Sequence, residues 1–209
     1  MQELFLIRHA VTDMAGSLCG QVDPPLNATG KEQANALAVS LKSWNIHRLY
    51  ASDLRRALQT ALPLAVLWDT AIKARSDLRE ISFGAWEGKR WSDVRADQPK
   101  LRAMESSPQL SAPGGESFPL FRDRILHALR EIVADPGSSQ AAAIVTHLGV
   151  IRLILSELRL AGRIWDPQQR IDYCAVYRIR IDGRSFELSD LQTKNHHIPS
   201  QRVGKNVIR

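Results

Sequence analysis

Two histidines of this 209-residue sequence each follow a short apolar run that is typical of a buried strand. Residues 4–7 lead into Arg8 and His9, and residues 141–145 lead, one residue later, into His147. Ligands of an open parallel sheet gather beyond the carboxyl ends of its strands, so we expect the two imidazoles to face each other there. Imidazole can act as a nucleophile or move a proton, and arginine binds anions. A single strand-end histidine is most often a satisfied core residue, whereas two of them beside an arginine favour a site.

The helix predicted over residues 54–67 begins with two arginines, Arg55 and Arg56. Cations at a helix N-terminus oppose the helix dipole, so their presence there needs a cause. A bound phosphate would supply one, because helix N-termini and guanidinium forks both favour phosphate. The alternative is a solvated helix face whose arginines pair with Asp53 or Glu80.

Glu80 stands between the apolar residues Leu78 and Ile81, which predicts a partly buried carboxyl group. Burial raises the pKa of a carboxyl group, so Glu80 is a candidate general acid. The same position also suits a carboxylate that pairs with an arginine.

The segment after His9, residues 11–27, holds glycines and prolines that break both helical and strand periodicity. A loop of this length inside a compact domain is usually functional or disordered. The hydroxyl of Thr12, the backbone of Gly20 and the amide of Gln21 are candidate ligand contacts. For each of them taken alone, an ordinary surface position is the simpler interpretation.

The alternation of apolar runs with helical periodicity predicts an α/β fold built on a parallel sheet. Helices are predicted over residues 30–43, 54–67, 91–96, 118–134 and 150–158, and strands over residues 4–7, 48–51, 72–74, 141–145, 173–181 and 186–191. Thr29 precedes the first helix, and Ser52 or Asp53 is the expected N-cap of the second. The last two strands flank Asp182-Gly183, which predicts an antiparallel hairpin.

One domain is expected over residues 1–192, followed by a basic tail over residues 193–209 that shows no periodicity. Residues 89–113 are polar and contain proline, and we expect them to form a lid-like excursion over the site.

Composition narrows the class of protein. With 44% hydrophobic and 24% charged residues, the chain is typical of a soluble globular protein. The net charge of +6 favours anionic partners. Aromatic residues make up only 6% of the chain and do not lie within a basic cluster, which argues against a nucleic-acid partner. A small phosphorylated substrate explains the charge. No apolar run approaches the roughly 20 residues of a membrane span, and no signal peptide is evident. Two cysteines make no disulfide framework, so we expect a cytoplasmic protein that binds no membrane, with a homodimer left open.

Other chemistries have weaker support. Cys174 and Arg180 have the spacing of the cysteine phosphatase signature, but the residues between them favour a strand, whereas that loop must curl its amides around phosphate. Residues 113–117 lack the Gly-Lys-Ser/Thr ending of a nucleotide P-loop. No metal-binding pattern such as Cys-x-x-Cys or His-Glu-x-x-His is present, so neither a metal nor a cofactor is expected.

Four segments together resemble the histidine phosphatase superfamily, also called the phosphoglycerate mutase-like family. The segments are Arg8-His9, residues 52–61 (SDLRRALQTA), Leu78-Arg79-Glu80 and Thr146-His147, and they occur in the order that the family shows. The resemblance covers residues 4 to 155. It implies a three-layer α/β/α sandwich with a mostly parallel central sheet and an antiparallel C-terminal strand.

The resemblance also implies roles for individual residues. His9 matches the nucleophile that becomes phosphorylated, and Glu80 matches the proton donor. Arg8, Arg56 and His147 match positions of the phosphate pocket. The chemistry agrees, because a phosphomonoester dianion needs donors on its nonbridging oxygens and its alkoxide leaving group needs an acid.

Two departures from the family pattern fall directly after the nucleophile. Ala10 replaces the usual glycine, and its methyl group fits if the backbone there is not at positive φ. The usual Glu-Thr-x-x-Asn becomes residues 11–15 (VTDMA), which places Ala15 where many relatives have a phosphate-binding asparagine.

Within the superfamily, three segments are similar to α-ribazole phosphatases: residues 19–26 (CGQVDPPL), 83–88 (FGAWEG) and 113–117 (PGGES). The resemblance therefore implies a phosphatase for small phosphomonoesters, with α-ribazole 5′-phosphate as a candidate substrate. A phosphoglycerate mutase and a non-catalytic module that binds a phosphorylated ligand are the alternatives.

Overall fold

The structure is a computed structural model that describes residues 2–95, 111–135, 141–159, 170–182 and 185–190. The predicted lid over residues 89–113 is described only at its two ends. Gly183 of the predicted hairpin turn and the predicted basic tail lie outside the described residues.

The described residues form a six-stranded sheet in the order β3-β2-β4-β1-β5-β6. Its strands are β1 (Gln2–Arg8), β2 (Arg48–Ser52), β3 (Ile72–Arg75), β4 (Ala142–Thr146), β5 (Val176–Asp182) and β6 (Ser185–Asp190). The first four strands are parallel to one another, whereas β5 runs antiparallel to β1 and β6 antiparallel to β5. The predicted sheet is confirmed, and its antiparallel part consists of two strands.

The helices of the described chain are α1 (Ala28–Ser40), α2 (Arg55–Leu67), α3 (Trp91–Arg95), α4 (Phe118–Ala134) and α5 (Leu148–Arg159). Two short 3₁₀ turns span Ser76–Leu78 and Gly84–Trp86. None of the helices in the described part of the chain is long and apolar enough to cross a bilayer.

The starts of the first two helices differ from the predictions. Helix α1 begins after Asn27, whose side chain accepts the N–H of Gly30 at 2.8 Å, so Asn27 and not Thr29 caps it. Helix α2 has Leu54 at its N-cap, and neither Ser52 nor Asp53 caps it. The N–H of its first residue, Arg55, is satisfied from elsewhere in the chain, as described below.

Helices cover both faces of the sheet, which confirms the three layers. Side chains alternate across a strand, so Leu4 and Leu6 of β1 belong to one apolar cluster and Phe5 and Ile7 to another. The first cluster includes residues of α4 and α5, and the second includes residues of α1 and α2.

The two strands that precede the histidines are direct neighbours. Strand β1 pairs with β4 in parallel, with Arg8 opposite Thr146, and the N–H of His9 donates to the carbonyl of Thr146 at 2.9 Å. His9 and His147 therefore leave the sheet side by side at its carboxyl edge.

Candidate active site

The rings of His9 and His147 lie together at this edge, with centroids 5.2 Å apart and planes inclined by 58°. Both side chains are buried. The prediction that two strand-end imidazoles face each other is confirmed.

The ring of His9 is held in one tautomer. Its Nδ1 lies 2.7 Å from the carbonyl oxygen of Ala10. A carbonyl oxygen can only accept, so Nδ1 carries the proton and the neutral ring keeps its lone pair on Nε2. Burial, reinforced by the charges of Arg56 and Arg8, holds the pKa of His9 well below its usual value. His9 is therefore neutral near pH 7, with Nε2 available as a nucleophile.

Arg56 is almost fully buried at the start of α2 and is fixed by the loop that follows β1. Its guanidinium donates to the carbonyl of Val22 at 2.6 Å and to that of Gly20 at 2.7 Å. No described residue accepts a hydrogen bond from its buried Nε. The neighbouring Arg55 is exposed, so only one of the two arginines faces the site.

The start of α2 is capped from the same loop. The carboxylate of Asp23 accepts the backbone N–H of Arg55 at 2.6 Å. A negative charge at a helix N-terminus is favourable, and here it comes from 32 positions upstream. Asp53, which we expected as a cap, instead pairs with Arg79 at 2.6 Å.

A hydroxyl links α2 to the nucleophile. The Oγ1 of Thr60 donates to the carbonyl of Arg56 at 2.7 Å and accepts the N–H of Ala10 at 3.0 Å. The residue after His9 is thereby tied to the helix that carries Arg56.

Arg8 supplies a second guanidinium. It donates to the carbonyl of Ile171 at 2.5 Å, and its guanidinium carbon lies 3.8 Å from the centroid of the Tyr173 ring. As with Arg56, the buried Nε of Arg8 has no acceptor among the described residues. Buried donors without partners are costly, so two of them beside His9 indicate a place for an anion.

Glu80 is a buried carboxyl group that forms no ion pair with an arginine of the described residues. Its two oxygens accept backbone N–H groups, from Ile81 at 3.0 Å and from Gly149 at 2.9 Å. Burial raises the pKa of Glu80, although these hydrogen bonds and the arginine charges act in the opposite direction. Among the described residues, Glu80 thus accepts from backbone N–H groups and is not the ion-pair partner of an arginine.

His147 is fully buried, and neither of its ring nitrogens has a hydrogen-bond partner in the described part of the protein. Burial, followed by the charge of Arg56, holds its pKa well below the usual value. His147 does not line the pocket, although the next two residues of the chain do. Its contact with phosphate stays a prediction.

One pocket brings together most of the residues predicted for the site. Its walls include Arg8, His9, Thr12, Gly20, Arg56 and Glu80. Gln21 does not line it. The Gln21 side-chain amide instead donates to the backbone carbonyl of Glu80 at 3.2 Å. Within the described residues, no group of three or more His, Cys, Asp or Glu side chains could hold a metal ion.

The family model of the Histidine phosphatase superfamily (branch 1) matches residues 4–194, which is most of the chain. The chain belongs to the histidine phosphatase superfamily. The similarity that the four sequence segments indicated is confirmed.

Several relatives of this histidine phosphatase carry phosphatase names. It is 34% identical to a metal-independent phosphoserine phosphatase of Arabidopsis thaliana over 193 residues, covering 88% of this chain and 81% of the relative. It is 33% identical to a glucosyl-3-phosphoglycerate phosphatase of Mycolicibacterium vanbaalenii, covering 76% and 74%. Among solved structures, the α-ribazole phosphatase of Shigella flexneri superposes with a TM-score of 0.80 at 27% identity, covering 95% and 100%. The chain is an enzyme of the histidine phosphatase type.

The two departures from the family pattern have different structural outcomes. Ala10 is buried and is absent from the positive-φ residues of the described chain, so its methyl group fits the core as the sequence required. Near Ala15, the loop presents Met14 and Ser17 to the pocket. Ser17 is thus a polar side chain on the wall close to where many relatives have asparagine.

The sequence did not single out several wall residues, among them Ser17, Phe83, Arg152 and Tyr173. Arg152 follows Gly149 by three positions in α5 and so shares its face, but the helix predicted over residues 150–158 begins only after Gly149. Tyr173 carried no sequence signal, because its place under Arg8 depends on how β5 approaches β1.

The cysteine phosphatase alternative finds no support. Arg180 lies within β5 and pairs with Glu3 at 3.1 Å. Burial raises the pKa of Cys174 to about 12, so its thiol stays protonated at neutral pH.

Proposed function

We propose that this histidine phosphatase hydrolyses a small phosphomonoester through a phosphohistidine on Nε2 of His9. The observation that carries the proposal is the bond from His9 Nδ1 to the Ala10 carbonyl. It leaves the lone pair on Nε2, in a pocket where the buried Nε donors of Arg8 and Arg56 have no protein acceptor among the described residues.

In the first step, the guanidinium groups of Arg8 and Arg56 bind the nonbridging oxygens of the phosphoryl group. The lone pair of His9 Nε2 forms the bond to phosphorus, and the bond from phosphorus to the ester oxygen breaks. The departing alkoxide takes the proton of Glu80. His147, which contacts the His9 ring, is assigned to the same phosphoryl group.

In the second step, the Glu80 carboxylate takes a proton from a water molecule, whose oxygen forms the new bond to phosphorus. The bond from phosphorus to Nε2 breaks, and its electron pair returns to His9. Inorganic phosphate leaves, and Glu80 is protonated for the next cycle. Burial of Glu80 supports both steps, because a raised pKa favours donation of its proton to the leaving oxygen and makes its carboxylate a competent base for the attacking water.

The substrate class follows from the charge of the pocket and from the relatives. Two arginines suit the dianion of a phosphomonoester. The relatives are named for phosphoserine, glucosyl-3-phosphoglycerate and α-ribazole phosphate, which are monoesters of small polar alcohols. We propose the same class for this chain, with α-ribazole 5′-phosphate as one member to test.

The test measures phosphate release from a panel of such esters, together with acid-labile phosphate on the protein after rapid mixing. Wild type is expected to release phosphate and carry label, and His9→Ala is expected to do neither. Label that survives in His9→Ala and disappears in His147→Ala would reverse the two roles. Turnover without label would indicate direct attack by water.

The same panel separates the two alternatives. A mutase would move phosphate between positions of a phosphoglycerate in the presence of bisphosphoglycerate and release little inorganic phosphate. A binding module would bind the esters and release none.

A further inference from the structure

Glu87 lies just after the 3₁₀ turn Gly84–Trp86 and does not line the pocket. One of its carboxylate oxygens, Oε1, accepts three hydrogen bonds. The donors are the N–H of Gln21 at 2.9 Å, the N–H of Phe83 at 3.1 Å and the hydroxyl of Ser82 at 3.2 Å. A single charged acceptor thus joins the loop after β1 to the loop that contains Glu80, and charged acceptors make the stronger hydrogen bonds.

The loop after β1 contacts two residues to which the proposed mechanism assigns a role. The carbonyl of Gly20 accepts from the Arg56 guanidinium at 2.7 Å. The side-chain amide of Gln21 donates to the Glu80 carbonyl at 3.2 Å. Residues 20 and 21 therefore contact the guanidinium of Arg56 on one side and the backbone of Glu80 on the other.

The Glu87 carboxylate is seated directly against the backbone of that segment. Gly20 has a φ of +50°, and a Cβ atom there would lie 2.4 Å from Oε1 of Glu87. The N–H of Gly88 donates to the carbonyl of Leu18 at 2.8 Å, and the N–H of Leu18 donates to the carbonyl of Lys89 at 2.9 Å, so the two segments lie side by side. The close approach leaves the carboxylate little freedom to move without moving the loop.

We propose that Glu87 is a positioning residue that fixes the Glu80 carboxyl group relative to the Arg56 guanidinium. The proposal rests on the function proposed above, because it assigns Glu87 to that same site. Without Glu87, three donors lose their shared acceptor and the two loops lose their common anchor. The separation of acid and phosphate then varies, and small misplacements of reacting groups are costly in rate.

The experiment compares Glu87→Ala with Glu87→Gln and with Glu32→Ala, a matched control at an exposed position of α1. Glu87→Ala is expected to lose about 10- to 100-fold in kcat/KM, the loss typical of a misplaced reacting group. Its basic pH limit is expected to move to lower pH, because a loosened Glu80 becomes hydrated and its pKa falls toward the ordinary value. Glu87→Gln keeps an acceptor oxygen and should restore most of the activity, and Glu32→Ala should match wild type.

Thermal unfolding of each variant separates positioning from simple stability. The proposal is overturned if Glu87→Ala keeps the kcat/KM of wild type. It is also overturned if the loss of kcat/KM equals the unfolded fraction of the variant and the basic limit of its pH profile does not move. If Glu87→Ala does not fold, Gln21→Ala decides, since it removes only the amide bond to Glu80. An unchanged basic limit in that variant then contradicts the proposal.

Turnover by wild type in the same assay tests the proposed function separately. If wild type releases no phosphate, the affinity of wild type and Glu87→Ala for inorganic phosphate, measured by calorimetry, replaces the rate. Weaker binding by the variant supports the positioning of Arg56, and equal binding contradicts it.

Discussion

Gly149 donates its backbone N–H to the carboxylate of Glu80 at 2.9 Å, and a side chain at Gly149 would collide with that same carboxylate, because a Cβ atom would lie 2.2 Å from Oε1. The start of α5 thus determines the position of the Glu80 carboxyl group. The relationship joins the helix after His147 to the loop after β3.

Gly149→Ala is therefore expected to displace the Glu80 carboxyl group while leaving the fold intact, since the far end of a flexible side chain can yield. A shift of about 1 Å at a reacting group can cost about 100-fold in rate, and we expect a loss of that order in kcat. Steady-state kinetics and thermal unfolding, measured on the same preparation, check both parts. An active variant, or one that loses activity only by unfolding, would contradict the assignment of Glu80.

Arg56→Ala and Arg55→Ala form a matched pair of adjacent arginines. Arg56→Ala removes a buried guanidinium from the pocket and is expected to cost about 3 kcal/mol of transition-state stabilisation, as for removal of one oxyanion-hole donor. Arg55→Ala removes an exposed side chain and keeps the backbone N–H that Asp23 accepts, so its kcat/KM should equal that of wild type. The opposite pattern would show that the wrong arginine was assigned to the pocket.

The pH dependence of kcat/KM should be bell-shaped. Activity requires a neutral His9, so it rises as pH passes the lowered pKa of His9. It also requires a protonated Glu80, so it falls as pH passes the raised pKa of Glu80. Replacement of Glu80 by Gln should remove the basic limb, and a basic limb that persists in that variant would assign it to another group.

Stability should fall in acid because His9 and His147 are both buried in neutral form. Their pKa values in the folded protein lie well below the ordinary 6.5, so the unfolded chain binds more protons below that pH. Stability from this source is present above pH 6.5 and is lost as pH falls, by about 1.4 kcal/mol per pH unit for each histidine. Urea unfolding of wild type and His9→Asn at pH 7 and pH 5 measures the difference, and equal losses in the two proteins would contradict it.

Local sequence patterns predict much of the fold. The helix predicted over residues 118–134 matches α4, because its apolar side chains recur with helical period over its whole length. The strands before His9 and His147 were predictable for a related reason, since short apolar runs between polar residues mark buried strands. Once both strands were assigned to one parallel sheet, the facing of the two imidazoles followed from the geometry of the sheet.

Contacts between distant segments were not predictable in this way. The cap of α2 comes from Asp23, whereas sequence rules look for a cap among the residues directly before the helix. Gln21 was predicted to face the ligand, but its amide bonds to the Glu80 carbonyl because the two loops run side by side. Glu87 enters the sequence argument only as part of the segment 83–88, since an acidic residue beside a glycine in a loop is ordinary until its three donors are brought to it.

Strand β1, which ends directly before His9, lies inside the sheet with β4 on one side and β5 on the other. The amide hydrogens of such a strand exchange with solvent only when the whole domain opens, whereas amides of loops exchange through local opening. His9 directly follows this strand, and its N–H donates to the carbonyl of Thr146 in β4, so we expect its amide to exchange as slowly as those of β1. In the proposed mechanism, the phosphoryl group is therefore received at a point of the fold that stays closed unless the domain unfolds.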